Sequence, residues 1–265
     1  MLPRVGIIKA DQVDYMVFAN SDLITNEIFR NGEWDRNSFV ISKTIYSRVE
    51  APLILDIGAN LGAYSLPIAK DLLSAGGEVI AFEPQEIIYY QLCGNIILNR
   101  LDNLRAHHKA VGQYNGDIEI PKIDYNNNHN AGAFSFHQEY RQNEGIEDSI
   151  QSETTFVPIV TLDSLVLKKP PALIKIDVEG YELDVFKGGV EFLKKADYPP
   201  ILFEAWNKDF FREKRAELLS FVENLGYDLI TLNQIDFIAQ HKKHEMKISF
   251  VHQSDGTITI EWQNQ

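Results

Sequence analysis

The stretch ILDIGANLGAYSLPIA, residues 54–69, decides how this chain is read. It opens as a run of branched apolar side chains and passes two glycines, Gly58 and Gly62, that bracket Ala59, Asn60 and Leu61. It then continues with helical spacing. The pattern predicts a strand, a tight turn and a helix beginning near Gly62. Such a unit aims backbone N–H groups and the positive end of a helix into one crevice, where the negative end of a polar ligand can sit. The turn departs from the dinucleotide fingerprint G-x-G-x-x-G, because Asn60 stands where a middle glycine lets the backbone approach a pyrophosphate. An amide side chain offers hydrogen bonds to a smaller zwitterion instead. Glu83 follows Gly62 by 21 residues, a spacing at which a carboxylate meets ribose hydroxyls.

Working outward, strand-like and helix-like runs alternate from residue 53 to about 240. EVIAFEP (78–84) is a second strand, followed by a helix from about Gln85 to Arg100. LRAHHKAVG (104–112) is a third strand with its exit turn. LIKIDVEGYE (173–182) is a fourth, with a helix through Phe186 and Leu193 behind it. ILFEAW (201–206), a helix from about Asp209 to Leu225, YDLITLN (227–233) and DFIAQH (236–241) complete the series. KISFVH (247–252) and TITIEW (257–262) flank Asp255-Gly256 as a terminal hairpin. Residues 4–50 mix β-like runs (Tyr15 to Phe18, Phe39 to Ser42) with turns such as Asn31-Gly32, and are expected to cover one end of the crevice. The prediction is an α/β fold with a mostly parallel sheet of about seven strands, helices on both faces and antiparallel strands near the C-terminal edge. The domain division is an N-terminal extension, 1–50, packed on a main domain, 51–265. Residues 113–152 hold no sustained period and form an insertion loop, either functional or disordered.

Composition excludes several classes. With 25 Lys and Arg against 38 Asp and Glu, a net charge of −13, general affinity for nucleic acid or an anionic membrane is disfavoured. Of the 265 residues, 45% are apolar, enough for a sizeable core, and nowhere do 18 run together as a membrane span. The N-terminus lacks the apolar run of a signal peptide. The single cysteine, Cys93, excludes an internal disulfide and reads as a core filler, so cytoplasmic residence is the expectation.

In an extended strand, Lys175, Asp177 and Glu179 share one face of LIKIDVEG, opposite Ile174, Ile176 and Val178. Three charges on a central strand require partners, and Asp177, Glu204 or Asp163 would pair Lys175. Asp56, Glu83, Asp177 and Glu204 all fall near strand ends, around one crevice. Asp177, Glu179 and Glu204 could also present oxygens to Mg²⁺ or Ca²⁺, but no compact ligand loop exists and no metal is assigned. His241 with His244 reads as a solvated edge, and of His107 and His108 at most one would face the crevice. In the insertion, Tyr125, Asn126 to Asn128, His129, Phe134, Phe136 and His137 interleave aromatics with amides, a mixture suited to carbohydrate and equally common in a surface loop. Trp206 reads as core or as a platform at the crevice.

DIGANLGAYS with AFEP, then IKIDVEGYE and ILFEAW, resemble the FkbM family of S-adenosylmethionine-dependent methyltransferases over roughly residues 30–240. The resemblance implies a Rossmann-like class I methyltransferase fold and methyl transfer to a hydroxyl of a sugar, glycolipid or secondary metabolite. Carried across by motif, Asp56, Gly58, Asn60 and Gly62 would hold the methionine end and Glu83 the ribose. His108 to Gly112, centred on Ala110, would face the adenine, and Asp177 would lie against the donor as well. For the chemistry, Asp177 is the candidate to orient the acceptor hydroxyl or take its proton, Glu179 the second, with Lys175 as their partner. Gly180 is assigned the turn. The partner is a small-molecule or glycan acceptor. A nicotinamide-dependent oxidoreductase or epimerase, disfavoured by Asn60, and a non-catalytic nucleotide-binding scaffold are the alternatives.

Overall fold

A computed structural model describes residues 2–19, 23–125, 135, 150–252 and 258–264. The Asn126 to Asn130 run, Phe134, Phe136, His137 and the Asp255-Gly256 turn lie outside the described residues. In chain order the elements begin with a hairpin, β1 (Val5–Lys9) and β2 (Asp14–Phe18), then α1 (Leu23–Asn31) and α2 (Arg36–Tyr46). Next come β3 (Leu53–Ile57), α3 (Ser65–Leu72), β4 (Glu78–Phe82), α4 (Glu86–Leu98) and β5 (Leu104–His107). After β6 (Ala110–Val111), β7 (Gly116–Ile123) and β8 (Ile150–Val160), the main alternation resumes with β9 (Leu173–Ile176), α5 (Glu182–Lys187), α6 (Val190–Lys195) and β10 (Ile201–Glu204). It ends with α7 (Arg212–Asn224), β11 (Tyr227–Thr231), β12 (Asp236–His241) and the hairpin β13 (Met246–His252) and β14 (Ile258–Asn264).

Seven strands form the central sheet in the order β11-β12-β10-β9-β3-β4-β5. It is a mixed sheet: β10, β9, β3, β4 and β5 run parallel, and β12 runs against both β10 and β11. Alternation along each strand sorts two cores. Ile54, Leu173, Leu202 and Ile238 pack with α3 and α4, whereas Leu55, Ile57, Ile174, Ile176 and Phe203 pack with α5, α6 and α7. Each of these side chains is buried, worth roughly 1.5–3 kcal/mol apiece. Chain order reverses between β3, whose successor β4 lies on one side, and β9 on the other. A crevice opens at that switch point, beyond the carboxyl ends of the strands.

Four local expectations are corrected. Phe39 to Ser42, read as β-like, lie inside α2, whose start is capped by the Asp35 carboxylate accepting from the Ser38 amide at 3.2 Å. The interval from 113 is not patternless at its beginning: β7 pairs antiparallel with β8, and an irregularity between Pro121 and Ile123 hides its alternation. The opening helix starts at Ser65, not near Gly62. The helix expected through Phe186 and Leu193 is two, α5 and α6, separated at Gly188-Gly189.

Both hairpins are attached through amide side chains. Asn95 on α4 accepts from the Met16 amide of β2 at 2.5 Å, and Gln91 and Asn95 donate to the Met16 carbonyl. One turn further along, Asn99 accepts from the Asp14 amide at 2.8 Å and donates to the Asp14 carbonyl at 2.7 Å. A helix face thus completes the hydrogen bonding of an exposed strand edge. Gln240 of β12 does the same for Ile248 of β13, donating to its carbonyl and accepting from its amide.

Candidate active site

The crevice is a cavity of about 1060 Å³. Its walls come from the turn after β3, the end of β4, residues 109–114, the turn after β9, the ends of β10 and β12, and the N-terminal segment through Leu23, Ile24, Glu27, Trp34 and Asp35. Arg215 fixes the far rim by donating to the carbonyls of Ala205 and Gln234, which holds the exit of β10 beside the entry to β12.

The turn at residues 58–62 uses its own donors. The Gly58 and Ala59 amides both donate to the Phe82 carbonyl at 3.0 and 2.9 Å, and the Gly62 amide donates to Ala59 at 2.9 Å. The Asn60 amide donates to Glu83 Oε2 at 2.9 Å, and the Leu61 amide to Asn60 Oδ1 at 2.7 Å. The expectation that this turn aims free N–H groups into the crevice is therefore corrected. Asn60, at φ 52, takes the left-handed conformation that asparagine tolerates, and its side chain is engaged on its own turn. Gly58, at φ 89, is required: a Cβ there would stand 1.8 Å from the Asp177 carbonyl oxygen. Gly58 and Asn60 line the cavity; Gly62 lies behind its wall, where a Cβ would meet Leu92 at 2.8 Å.

Asp56 also lies behind the wall. It is 0% exposed, and its Oδ2 accepts from the Ser65 hydroxyl at 2.5 Å. Lys175, beside it on β9, places Nζ 2.7 Å from Asp177 Oδ2, 4.0 Å from Asp56 Oδ1 and 5.3 Å from the centre of the Tyr64 ring. Tyr64 in turn shares a 2.7 Å hydrogen bond with Ser42 of α2. Burial pushes the Asp56 carboxyl up, partly offset by Lys175 and Ser65. Burial pushes the Lys175 ammonium down, but Asp177 and Asp56 more than reverse this and leave it raised. Lys175 is thus a fixed cation and not a proton acceptor.

β9 ends at Ile176, so Lys175, Asp177 and Glu179 do not share an extended face as expected. Glu179 sits at φ 54, where the chain turns, although it still lines the cavity with Lys175 and Asp177. That turn is held by Glu182, which the sequence reading missed. Its buried Oε1 accepts from the Val178 and Gly180 amides, and burial pushes its carboxyl up to about 7. Glu83 is buried too, accepting from Asn60 and, at 2.8 Å, from the Gln85 amide; burial brings it to about 7. Glu204 lies well above the usual carboxylate range through burial, reinforced by Asp177, Glu179, Glu182 and Asp236. Its Oε2 accepts from the Trp206 indole at 3.0 Å. Ala110 and Gly112 line the cavity on the β6 side.

Other candidates stand elsewhere. Tyr125 is packed against Phe18 with its hydroxyl on Gln85, and Trp206 is packed against Phe211 while still reaching the cavity wall. His107 stacks on Phe82 and His108 on Tyr89, and neither lines the cavity. His241 stacks on Tyr198, and His244 bonds the Asp197 carbonyl. Cys93 is partly exposed on α4. Among the described residues no three His, Cys, Asp or Glu side chains are grouped to hold a metal ion, and no helix is long and apolar enough to cross a membrane. Tyr64 and Asp35, also missed, carried no signal beyond their positions just ahead of helices.

Comparison with known proteins follows this geometry. The family described as the methyltransferase FkbM domain matches residues 56–229, from Asp56 of β3 into β11. Methyltransferase sdnD of Sordaria araneosa is 26% identical over 250 residues, covering 84% of this chain and 89% of that protein. Among solved structures, the FkbM methyltransferase of Methylobacillus flagellatus KT is 17% identical with a TM-score of 0.45, covering 75% of this chain and 47% of its own. This chain thus spans about half the length of that structure. TYW2 of M. jannaschii, solved in complex with AdoMet, is 14% identical with a TM-score of 0.37, covering 90% of this chain and 85% of its own. The chain belongs to the FkbM methyltransferase family and is an S-adenosylmethionine-dependent methyltransferase.

Proposed function

We propose that this protein transfers the methyl group of S-adenosylmethionine to a hydroxyl of a sugar, glycolipid or secondary metabolite. The observation that carries the reading is the direct contact between the two motifs: Gly58 of the donor turn touches the backbone of Asp177, and Lys175 holds the Asp177 carboxylate at the cavity. The donor set also suits a sulfonium cofactor. A turn whose amides from Gly58 to Gly62 are all engaged has none to offer a pyrophosphate, which argues against the nicotinamide reading. Walls carrying Asp177 and Glu179 favour a cation.

In this reading Gly58 and Asn60 bound the methionine end, Glu83 receives the ribose hydroxyls on its remaining lone pairs, and Ala110 faces the base. When bound, the cofactor supplies an electrophilic methyl group. Asp177 accepts a hydrogen bond from the acceptor hydroxyl, aligns its oxygen and takes its proton as the carbon–oxygen bond replaces the methyl–sulfur bond, with S-adenosylhomocysteine as the leaving group. Lys175 keeps that carboxylate in place. The α1 side of the cavity, with Trp34 and Asp35, excludes water and shapes the acceptor space.

Calorimetry with S-adenosylhomocysteine tests the cofactor half: binding is expected with the intact protein and lost in Glu83→Ala, and no heat with the intact protein refutes it. Transfer of labelled methyl to fractionated glycans and lipids, with mass spectrometry of the product, tests the acceptor half. Label on nitrogen or carbon instead of a hydroxyl oxygen would overturn the acceptor class.

A further inference from the structure

The family motif assigns Asp56 to the methionine end of the donor, but its surroundings lead elsewhere. The carboxylate is fully buried, lies behind the cavity wall, and is tied by Ser65 on one oxygen. Its other oxygen, Oδ1, accepts no hydrogen bond from a described residue and faces Lys175 Nζ at 4.0 Å. We propose that Asp56 is a positioning residue that acts through Lys175: from beneath the cavity floor it holds the ammonium against Asp177 and makes no contact with the methyl donor. This rests on the proposed role of Asp177 toward the acceptor hydroxyl.

The charge balance explains why a second carboxylate is needed. Lys175 is only 13% exposed along its side chain, and a buried ammonium next to a single half-exposed carboxylate is poorly compensated. The groups facing it are Asp56 from β3, Asp177 just beyond its own strand, Tyr64 from the turn before α3, and Asp236 at the start of β12, which senses its charge. Only Asp56 is sealed from solvent on the side opposite the cavity. Without it, the Lys175 ammonium loses one of the two ion pairs that keep it charged, and Asp177 loses a fixed anchor.

The test uses the full chain and two ligands, S-adenosylhomocysteine and 5′-methylthioadenosine, which lacks the amino-acid end. In Asp56→Asn both ligands bind within about threefold of the unsubstituted protein, because no donor contact is removed. In NMR of protein carrying lysine labelled at Nζ, the Lys175 ammonium protons exchange with solvent at least about tenfold faster in Asp56→Asn, because one of the two carboxylates that hold the ammonium is gone. Labelled methyl transfer slows at least about tenfold, and Asp56→Asn adds nothing further once Lys175→Met is present. Ser65→Ala, which removes the hydroxyl that orients the Asp56 carboxylate, speeds the same exchange by less and serves if Asp56→Asn does not fold. A tenfold loss for S-adenosylhomocysteine with 5′-methylthioadenosine unaffected would put Asp56 on the methionine end and overturn the proposal, as would unchanged exchange at Lys175. If the intact protein binds neither ligand, the proposed function falls, while the exchange of the Lys175 ammonium protons still decides whether Asp56 holds Lys175.

Discussion

Replacing Gly58 with alanine tests the join between the donor turn and the acceptor side. At φ 89 an alanine pays for a left-handed backbone, about 1 kcal/mol. Its Cβ, 1.8 Å from the Asp177 carbonyl oxygen, must also retreat by about 1.6 Å to reach the 3.4 Å where ordinary contact begins. Neither side can yield freely. The Asp177 amide donates to Ile57 at 2.9 Å and the Gly58 amide to Phe82 at 3.0 Å, so moving apart breaks at least one buried backbone bond, roughly 1–3 kcal/mol. The expected loss is about 3 kcal/mol. Gly76→Ala is the control, since Gly76 has φ 67 but its nearest neighbour would be Ala51 Cβ at 3.9 Å; it is expected to cost about 1 kcal/mol or less. Urea denaturation of both variants, with calorimetry of S-adenosylhomocysteine, measures the difference. Equal losses would show that the approach of turn to Asp177 carries no energy and refute the reasoning.

Further outcomes follow from the same geometry. Glu83 has a folded value of about 7 against 4.5 for the free side chain, so the folded state holds its proton longer; stability falls by about 3 kcal/mol as pH rises from 4.5 to 7, and Glu83→Gln makes that slope shallower in urea titrations. S-adenosylhomocysteine, if its ribose donates to Glu83, binds more tightly as pH passes 7, and pH-independent binding contradicts that contact. Asp177→Asn lowers labelled methyl transfer at least about a hundredfold while S-adenosylhomocysteine still binds; unchanged transfer would remove Asp177 from the chemistry. Asn95→Leu leaves the Met16 amide and the Leu61 carbonyl without their partner at a cost of about 3 kcal/mol, read as faster hydrogen exchange at Met16.

Much of this was legible in the residues. The boundaries of β12 agree with the run DFIAQH because a short apolar run lies between turn residues on both sides. The switch-point crevice followed from the order of strands and helices. Phe39 to Ser42 misled because Phe and two β-branched residues outweighed the upstream cap, Asp35, whose partner Ser38 is three residues on. Glu179 reaches the cavity by a turn and not along an extended face, because period-two reasoning holds only while the strand lasts, and nothing local announces that β9 stops at Ile176. Asp56 illustrates a different limit: a motif fixes a residue's place in the chain, whereas its chemistry depends on what lies within 4 Å, here a lysine more than a hundred residues away. Glu182 escaped because its work is done on its own turn, where an acidic residue early in a helix looks ordinary.

The amide side chains of Gln91, Asn95 and Asn99 have an evolutionary consequence. They tie β2 to α4, while Val13, Tyr15, Val17 and Ile28 of the chain ahead of α2 are buried in the same core as β3 and α3, and the central sheet stays uninterrupted. That chain contributes Leu23, Ile24, Glu27, Trp34 and Asp35 to the wall of the cavity. Its cavity positions are therefore free to vary where its core positions are not. Changes confined to those five side chains would remodel the space offered to an acceptor without rebuilding a strand of the central sheet, so long as Val13, Tyr15, Val17 and Ile28 keep their place in the core.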